Sequence, residues 1–373
     1  MAKRSSMSGL SRRTVLKGAG AMAAGYIGST ILSSPARAQT KKVKLTLPWL
    51  PDSVYSYAFI AKNQGYWRKR GLDVDVARGN GSLPVGQAVH AGQFDIGIIN
   101  SAAVMLLATR GVNLLSLGLI DYNSTMGVAV LDDSPIRRPK DLERKTVGQT
   151  VASSDAAFFP VFCNRTGVDI TTINRVNMDA NVRTRTLWER KVDAITGFAS
   201  SILPASIGAG NKTRYMLYDD YGINLYADCI IVKPEFFQEN RGLCEAVVEG
   251  LYEGVAFELT RPKESLDIYL KEVKEMAISQ TAAENARIGI GIFTFSVLSE
   301  PGIKQHGLGW SDTKKLDDMI DLVMKFQAPP NAPRPDREKI FRADFVGRHK
   351  LTPQQWKAAE DGIKDIVATM RPT

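Results

Sequence analysis

The sequence predicts an α/β fold of two lobes, each a mostly parallel sheet flanked by helices, with a helical C-terminal region. Three observations carry that expectation. Residues 42–100 alternate strand-like and helix-like hydrophobic periods in short order. The composition then turns polar and rigid at Asp132–Pro139, and a second run of the same kind begins at Thr146. From Pro234 onward the pattern is almost wholly helical, with Pro at several first turns.

In chain order, Val43–Leu47 alternates apolar and polar residues, and Pro48 and Pro51 then force a loop. Tyr57–Arg70 places Phe59, Ile60, Tyr66 and Trp67 at helical spacing. Leu72–Val76 alternates again, and Phe94–Ile99 is the next apolar run. Strand–helix–strand at this tempo builds a parallel sheet, whose ligands sit beyond the carboxyl ends of the strands. Ser101 begins an apolar helix ending at Arg110-Gly111, and Leu114–Ile120 and Met126–Leu131 read as strands. The second run holds strands at Thr146–Gln149, Ile173–Asn177, Ala194–Thr196 and Arg214–Tyr218, with helices at Ser154–Arg165 and Asn181–Arg190. Pro160 marks a kink or late start in the first of these helices. Asp219–Ile223 reads as the return crossing, and Tyr226–Lys233 as a strand of the first lobe. Helices follow at Pro234–Thr260, Pro262–Glu275, Ala282–Phe293, Asp312–Phe326 and Pro353–Thr369. The expected division is residues 39–131 with 224–373 as one lobe and 132–223 as the other, two crossings forming a hinge.

Several short motifs recur in a telling order. They are Trp49-x-Pro51, Ala61-x-x-x-Gly65-Tyr66-Trp67, Gly71-Leu72-Asp73-Val74, Gly79-Asn80-Gly81-Ser82 and Ala91-Gly92-x-Phe94-Asp95-Ile96-Gly97. Arg138–Leu142, Lys145–Gly148, Val192–Phe198 and Gly307–Trp310 continue the series. The chain resembles periplasmic solute-binding proteins of ABC importers, in the branch serving sulfonates, taurine, nitrate and thiamine-pyrimidine precursors. The resemblance implies the type II periplasmic-binding-protein fold, a small ligand held between the lobes, and a membrane permease and ATPase as partners. It also implies a protein that binds and is not an enzyme, acting as a monomer without a cofactor or metal.

Residues 1–38 carry six Lys or Arg and no Asp or Glu, and Ser11–Lys17 matches the twin-arginine export pattern through Arg12 and Arg13. Ala36-Arg37-Ala38 offers small residues to a signal peptidase, so cleavage is expected before Gln39 and the product in the periplasm. The apolar run between is shorter than the ~20 residues that span a bilayer. Removing that segment leaves 42 basic against 39 acidic residues, so the pI of 9.3 is no argument for nucleic acid. Cys163, Cys229 and Cys244 lack metal-type spacing and read as buried thiols, although one pair is able to bridge.

Candidate ligand contacts fall on helix starts and strand ends. Ser82, Asn100, Ser101, Ser153 and Ser154 bring hydroxyl or amide groups to helix N-termini, where unpaired N–H groups favour anions and polar heterocycles. The alternative is that each merely caps its own helix. Trp49, Tyr55 and Phe198 offer aromatic faces for a flat ring, while Phe158 and Phe159 read as core. Arg78, Arg183 and Arg185 are the basic residues nearest these loops. Catalysis is hard to assemble: His90, His306 and His349 lie apart from any nucleophile motif, and Cys163 falls about three turns from its helix start. Two other readings remain, a ligand-sensing module that reports to a receptor and an enzyme on the same fold, a pyrimidine-precursor synthase or a desulfinase. A planar, polar ligand such as a pyrimidine-like ring or aromatic acid is the expectation.

Overall fold

The computed structural model describes residues 40–278 and 281–370. The expected export signal, with Arg12 and Arg13, lies outside them.

Two five-stranded sheets form the frame. Strands β1 (Lys41–Thr46), β2 (Leu72–Ala77), β3 (Ile96–Asn100) and β4 (Leu115–Leu119) belong to the first. The second holds β5 (Met126–Leu131), β6 (Thr146–Gln149), β7 (Asn174–Asn177), β8 (Ala194–Phe198) and β9 (Thr213–Leu217), after which β10 (Asp228–Val232) returns to the first. The spatial orders are β2-β1-β3-β10-β4 and β7-β6-β8-β5-β9. In each sheet β1 or β6 pairs in parallel with two neighbours, and β10 or β5 runs antiparallel to both of its own. Four strands therefore point one way and the fifth against them. The two sheets are the same plan used twice, and each is completed by the strand that has just crossed over.

The motif aspartates show the repeat at atomic level. Asp95 Oδ2 accepts the Lys44 N–H at 2.8 Å while its own N–H reaches the Lys44 carbonyl at 3.0 Å. Asp193 does the same to Thr146, at 2.8 and 2.9 Å. Each aspartate fixes the register of an inner strand where its backbone pairing begins.

Helices α1 (Ser56–Asn63), α2 (Ser82–His90) and α3 (Ser101–Ala108) cover the first sheet, and α4 (Ser154–Thr166), α5 (Ala180–Trp188) and α6 (Ala199–Gly208) the second. Among the described residues nine more follow: α7 (Pro234–Glu239), α8 (Arg241–Thr260), α9 (Pro262–Glu272), α10 (Ala282–Leu298), α11 (Gly302–His306), α12 (Thr313–Phe326), α13 (Arg337–Ile340), α14 (Pro353–Gly362) and α15 (Lys364–Met370). Leu45, Ile98 and Ile230 are wholly buried at the centre of the first sheet, and burial of each such side chain stabilises by about 2 kcal/mol. The long apolar α10 joins the two halves. Its Ile288, Ile292 and Phe295 pack with Ala199 and Leu203 of α6, while its Phe293 stacks on Tyr57 of α1.

Several sequence expectations are corrected here. Met126–Leu131 pairs with β8 and β9, so the chain passes between sheets at residues 120–125 and not at Asp132–Pro139. Both strands that cross are uniformly apolar, and hydrophobic pattern alone does not say which sheet buries them. The single helix expected at Pro234–Thr260 breaks at Asn240, which caps the second piece. Pro160 lies within an unbroken α4. All three cysteines are free and buried.

Candidate functional site

Loops at the carboxyl ends of both sheets face one another across a cavity. Its walls include Trp49, Tyr55, Ser82, Asp121, Arg183 and Phe198. Its volume is about 660 Å³, part of it open to solvent.

The first wall is built by tying two loops together. Gly79 donates its N–H to the Trp49 carbonyl and Gly81 to that of Pro48, both at 2.9 Å. Gly81 sits at φ 130°, and a Cβ there would lie 2.6 Å from the Ala152 carbonyl of the facing loop. Only glycine fits so close an approach. Ser82 lines the cavity and its Oγ accepts the Asn100 N–H at 3.1 Å. Tyr57 adds a face that stacks on Phe293 at 5.0 Å between centroids.

The expected contacts divide cleanly. Trp49, Tyr55, Ser82, Ser153 and Phe198 line the cavity, whereas Asn100, Ser101 and Ser154 stand behind its wall. Asn100, and not Ser101, is the cap of α3: its side chain accepts the Ala102 N–H at 3.1 Å. Ser101 donates to the Tyr226 carbonyl at 2.8 Å, holding the returning chain against β3. Both residues therefore do structural work, as helix-start residues commonly do. Phe158 and Phe159 are buried in the core.

The crossing segments supply an acidic wall that sequence reasoning missed. Asp121 lies two residues beyond the end of β4 and Asp228 opens β10, so the two lie side by side where the chain leaves and re-enters the first sheet. The Asp228 N–H donates to Asp121 Oδ1 at 2.8 Å. Ser296 of α10 places its hydroxyl 2.8 Å from Asp121 Oδ2 and accepts the Asn123 N–H at 2.9 Å. Burial pushes the Asp121 carboxyl up to about 6. Asp228 is held well above the usual carboxylate range, by burial and then by the Asp121 charge beside it. The available signal was an acid inside the apolar run Tyr226–Lys233.

The opposite wall carries a cation. Arg183 of α5 is 3% exposed and lines the cavity, with its guanidinium carbon 5.8 Å from the centre of the Trp49 ring. Its Nη1 lies 3.7 Å from Asp155 Oδ2, and neither Nε nor Nη1 has a hydrogen-bond partner among the described residues. Asp155 is anchored by Thr196 Oγ1 at 2.6 Å and by the Ser153 hydroxyl. Gly197 leaves the room: a Cβ there would come within 2.9 Å of Arg183 Nη2. Arg185 points outward into a 2.7 Å pair with Glu189, and exposed Arg78 borders an outer opening of the cleft.

Two more bonds cross between the halves. Ser201 of α6 donates to Asp52 Oδ2 at 3.1 Å, and Gln327 donates to the Ala157 carbonyl at 2.8 Å. Burial raises Asp52 to about 6 despite the Ser201 bond and the more distant Arg78.

With this geometry in view, comparison with known proteins is informative. Residues 53–265, more than half of the chain, match the family described as NMT1/THI5 like. The chain belongs to that family. A formylaminopyrimidine-binding protein of Halalkalibacterium halodurans is 20% identical over 62% of this chain and 71% of its own. A solved structure from Bordetella bronchiseptica RB50 aligns at a TM-score of 0.65 with 18% identity, over 87% of this chain and 98% of that one. The periplasmic aliphatic sulphonate binding protein SsuA of Escherichia coli aligns at 0.62 with 14% identity, over 82% and 99%. The fold is accordingly that of periplasmic binding proteins, as the motif order implied. Named relatives of the family member described here are binding proteins, and their names span a pyrimidine and a sulphonate.

No group of three or more His, Cys, Asp or Glu among the described residues is placed to hold a metal. Burial pushes the Cys163 and Cys244 thiols up to about 12, and Cys229 higher still. Thiols so raised carry almost no thiolate at neutral pH.

Proposed function

We propose that the protein is an exported solute-binding protein that captures a small planar, polar molecule between its two halves and delivers it to an ABC-type membrane importer. The observation that carries this reading is the cavity itself. Its walls come from both sheets, combine flat aromatic faces with fixed polar groups, and are joined through two crossing segments and α10. A guest touching both walls favours the closed arrangement by its differential affinity, which is the transport cycle in outline. Trp49, Tyr55, Ser82, Ser153 and Phe198 are assigned to the contact surface, with Arg183, Asp121 and Asp228 added from the geometry. Twin-arginine export to the periplasm and a monomeric state complete the proposal. Among the described residues, no helix is long and apolar enough to cross a membrane.

A thermal-shift screen tests the reading. Sulfonates, nitrate, aminopyrimidines, flavins and aromatic acids are each added to the purified protein. A ligand at 100 times its dissociation constant stabilises the folded form by ~2.7 kcal/mol, a shift of several degrees. A planar polar compound is expected to give that shift. Conversion of the compound during incubation would favour the enzyme reading instead.

A further inference from the structure

We infer that the cleft selects a planar cation rich in N–H donors, an amidinium or a protonated amino-heterocycle, over an anion of the same shape; this rests on the solute-capture reading above. Two carboxylates, Asp121 and Asp228, sit on one wall of the cavity. Each oxygen of Asp121 already holds one protein donor, so that carboxylate is fixed in place. Asp228 has no hydrogen-bond partner for its carboxylate among the described residues, although its backbone N–H is bonded. A carboxylate has about four acceptor positions, so the pair retains several for a guest's N–H groups.

The charge around the cavity points the same way. Arg183 is the one Lys or Arg among the described lining residues, and Asp155 stands 3.7 Å behind it. The other titratable groups bearing on the pair are phenols, acids and the buried Cys229 thiol, none of them cationic; Tyr122 also feels Asp121. Tyr55 and Tyr57 feel both aspartates, and Tyr57 also feels the wholly buried Glu258 of α8; Asp52 lies beside Tyr55. Trp49, Tyr55, Tyr57 and Phe293 present ring faces, which attract cations. An anion would meet two half-buried carboxylates with one partly neutralised guanidinium as its only counter-charge among the described lining residues.

A proton is also involved. Burial and the mutual repulsion of the two carboxylates raise both above the usual carboxylate range. A cation seated on the pair favours its ionised form, so guest entry drives protons from the pair to solvent.

Three isosteric probes decide the matter: benzamidinium, benzamide and benzoate, titrated calorimetrically into the full exported chain at pH 7. Benzamidinium stays charged from pH 5 to 8, so any proton exchanged comes from the protein. The expected result is binding at least tenfold tighter for benzamidinium than for benzoate. Its heat should also differ between buffers of low and high ionisation enthalpy, in the sense of net proton release on binding. In Asp228→Asn, with folding checked by circular dichroism, both the preference and the proton release should vanish. Benzoate binding as tightly as benzamidinium overturns the inference and leaves solute capture standing. An unaltered preference in Asp228→Asn overturns the role of the pair. Failure of all three probes at millimolar concentration overturns the planar-solute reading itself. Should the variant not fold, the ranking of the three probes on the native chain is decisive alone.

Discussion

Replacing Ser296 by alanine should be far more damaging than the loss of one hydroxyl suggests. That oxygen is wholly buried on α10, 2.8 Å from Asp121 Oδ2, and it accepts the Asn123 N–H at 2.9 Å and the Tyr122 N–H at 3.2 Å. It therefore fixes the first crossing segment to the helix that spans both halves. Leaving a buried N–H without a partner costs about 1–3 kcal/mol, and a lost bond to a carboxylate adds about 1.5–3 kcal/mol. The expected destabilisation is about 2.5–6 kcal/mol. Urea unfolding measures it: the midpoint should fall by about 1–2 M at a slope near 3 kcal/mol/M, the slope itself unchanged. A second readout is the Asp121 carboxyl, which loses a donor that favours its charged form and should titrate above its present value of about 6. A midpoint that moves by less than a fifth of that amount refutes the hub.

Other outcomes follow from the same geometry. Trp49→Ala should abolish the thermal shift given by a planar ligand; an unchanged shift removes that ring from the site. Asp52 and Asp121 both titrate near 6 in the folded chain against 3.8 as free side chains, so the folded state binds more protons than the unfolded one between these values. Their contribution is therefore fully present below about pH 4 and is lost as pH rises toward 6. The difference in melting temperature between wild type and Asp52→Asn should change across that window and stay flat from pH 7 to 8. Arg12→Lys combined with Arg13→Lys should leave the uncleaved precursor in the cytoplasm on cell fractionation.

Much of this architecture was legible because each lobe announces itself by local pattern. Alternation at Leu72–Val76 and the apolar run before Ile99 placed strands to within two residues. The Gly79–Ser82 motif is a loop, and its Gly81 meets the Ala152 carbonyl of the facing loop. What escaped was information held between distant segments. Nothing local to Met126–Leu131 says that it joins β8 and β9, because either sheet would bury it equally well. Asp121 and Asp228 are 107 residues apart, and their pairing exists only once the two crossings lie together. Helix α6, opening Ala199-Ser200-Ser201 and interrupted by Pro204, carries little helical signal in its residues, yet it supplies Ser200 and Ser201 to the cavity.

The late return of β10 to the first sheet has a genetic consequence. A gene cut at the first crossing, or at the return, would leave β1–β4 without the interior strand β10, with the open row of amides and carbonyls that such a vacancy exposes. The first half is therefore not a self-sufficient folding module, and an N-terminal fragment should aggregate unless the missing strand is supplied in trans. The second sheet draws all five of its strands from residues 126–217, so neither cut opens a gap in it.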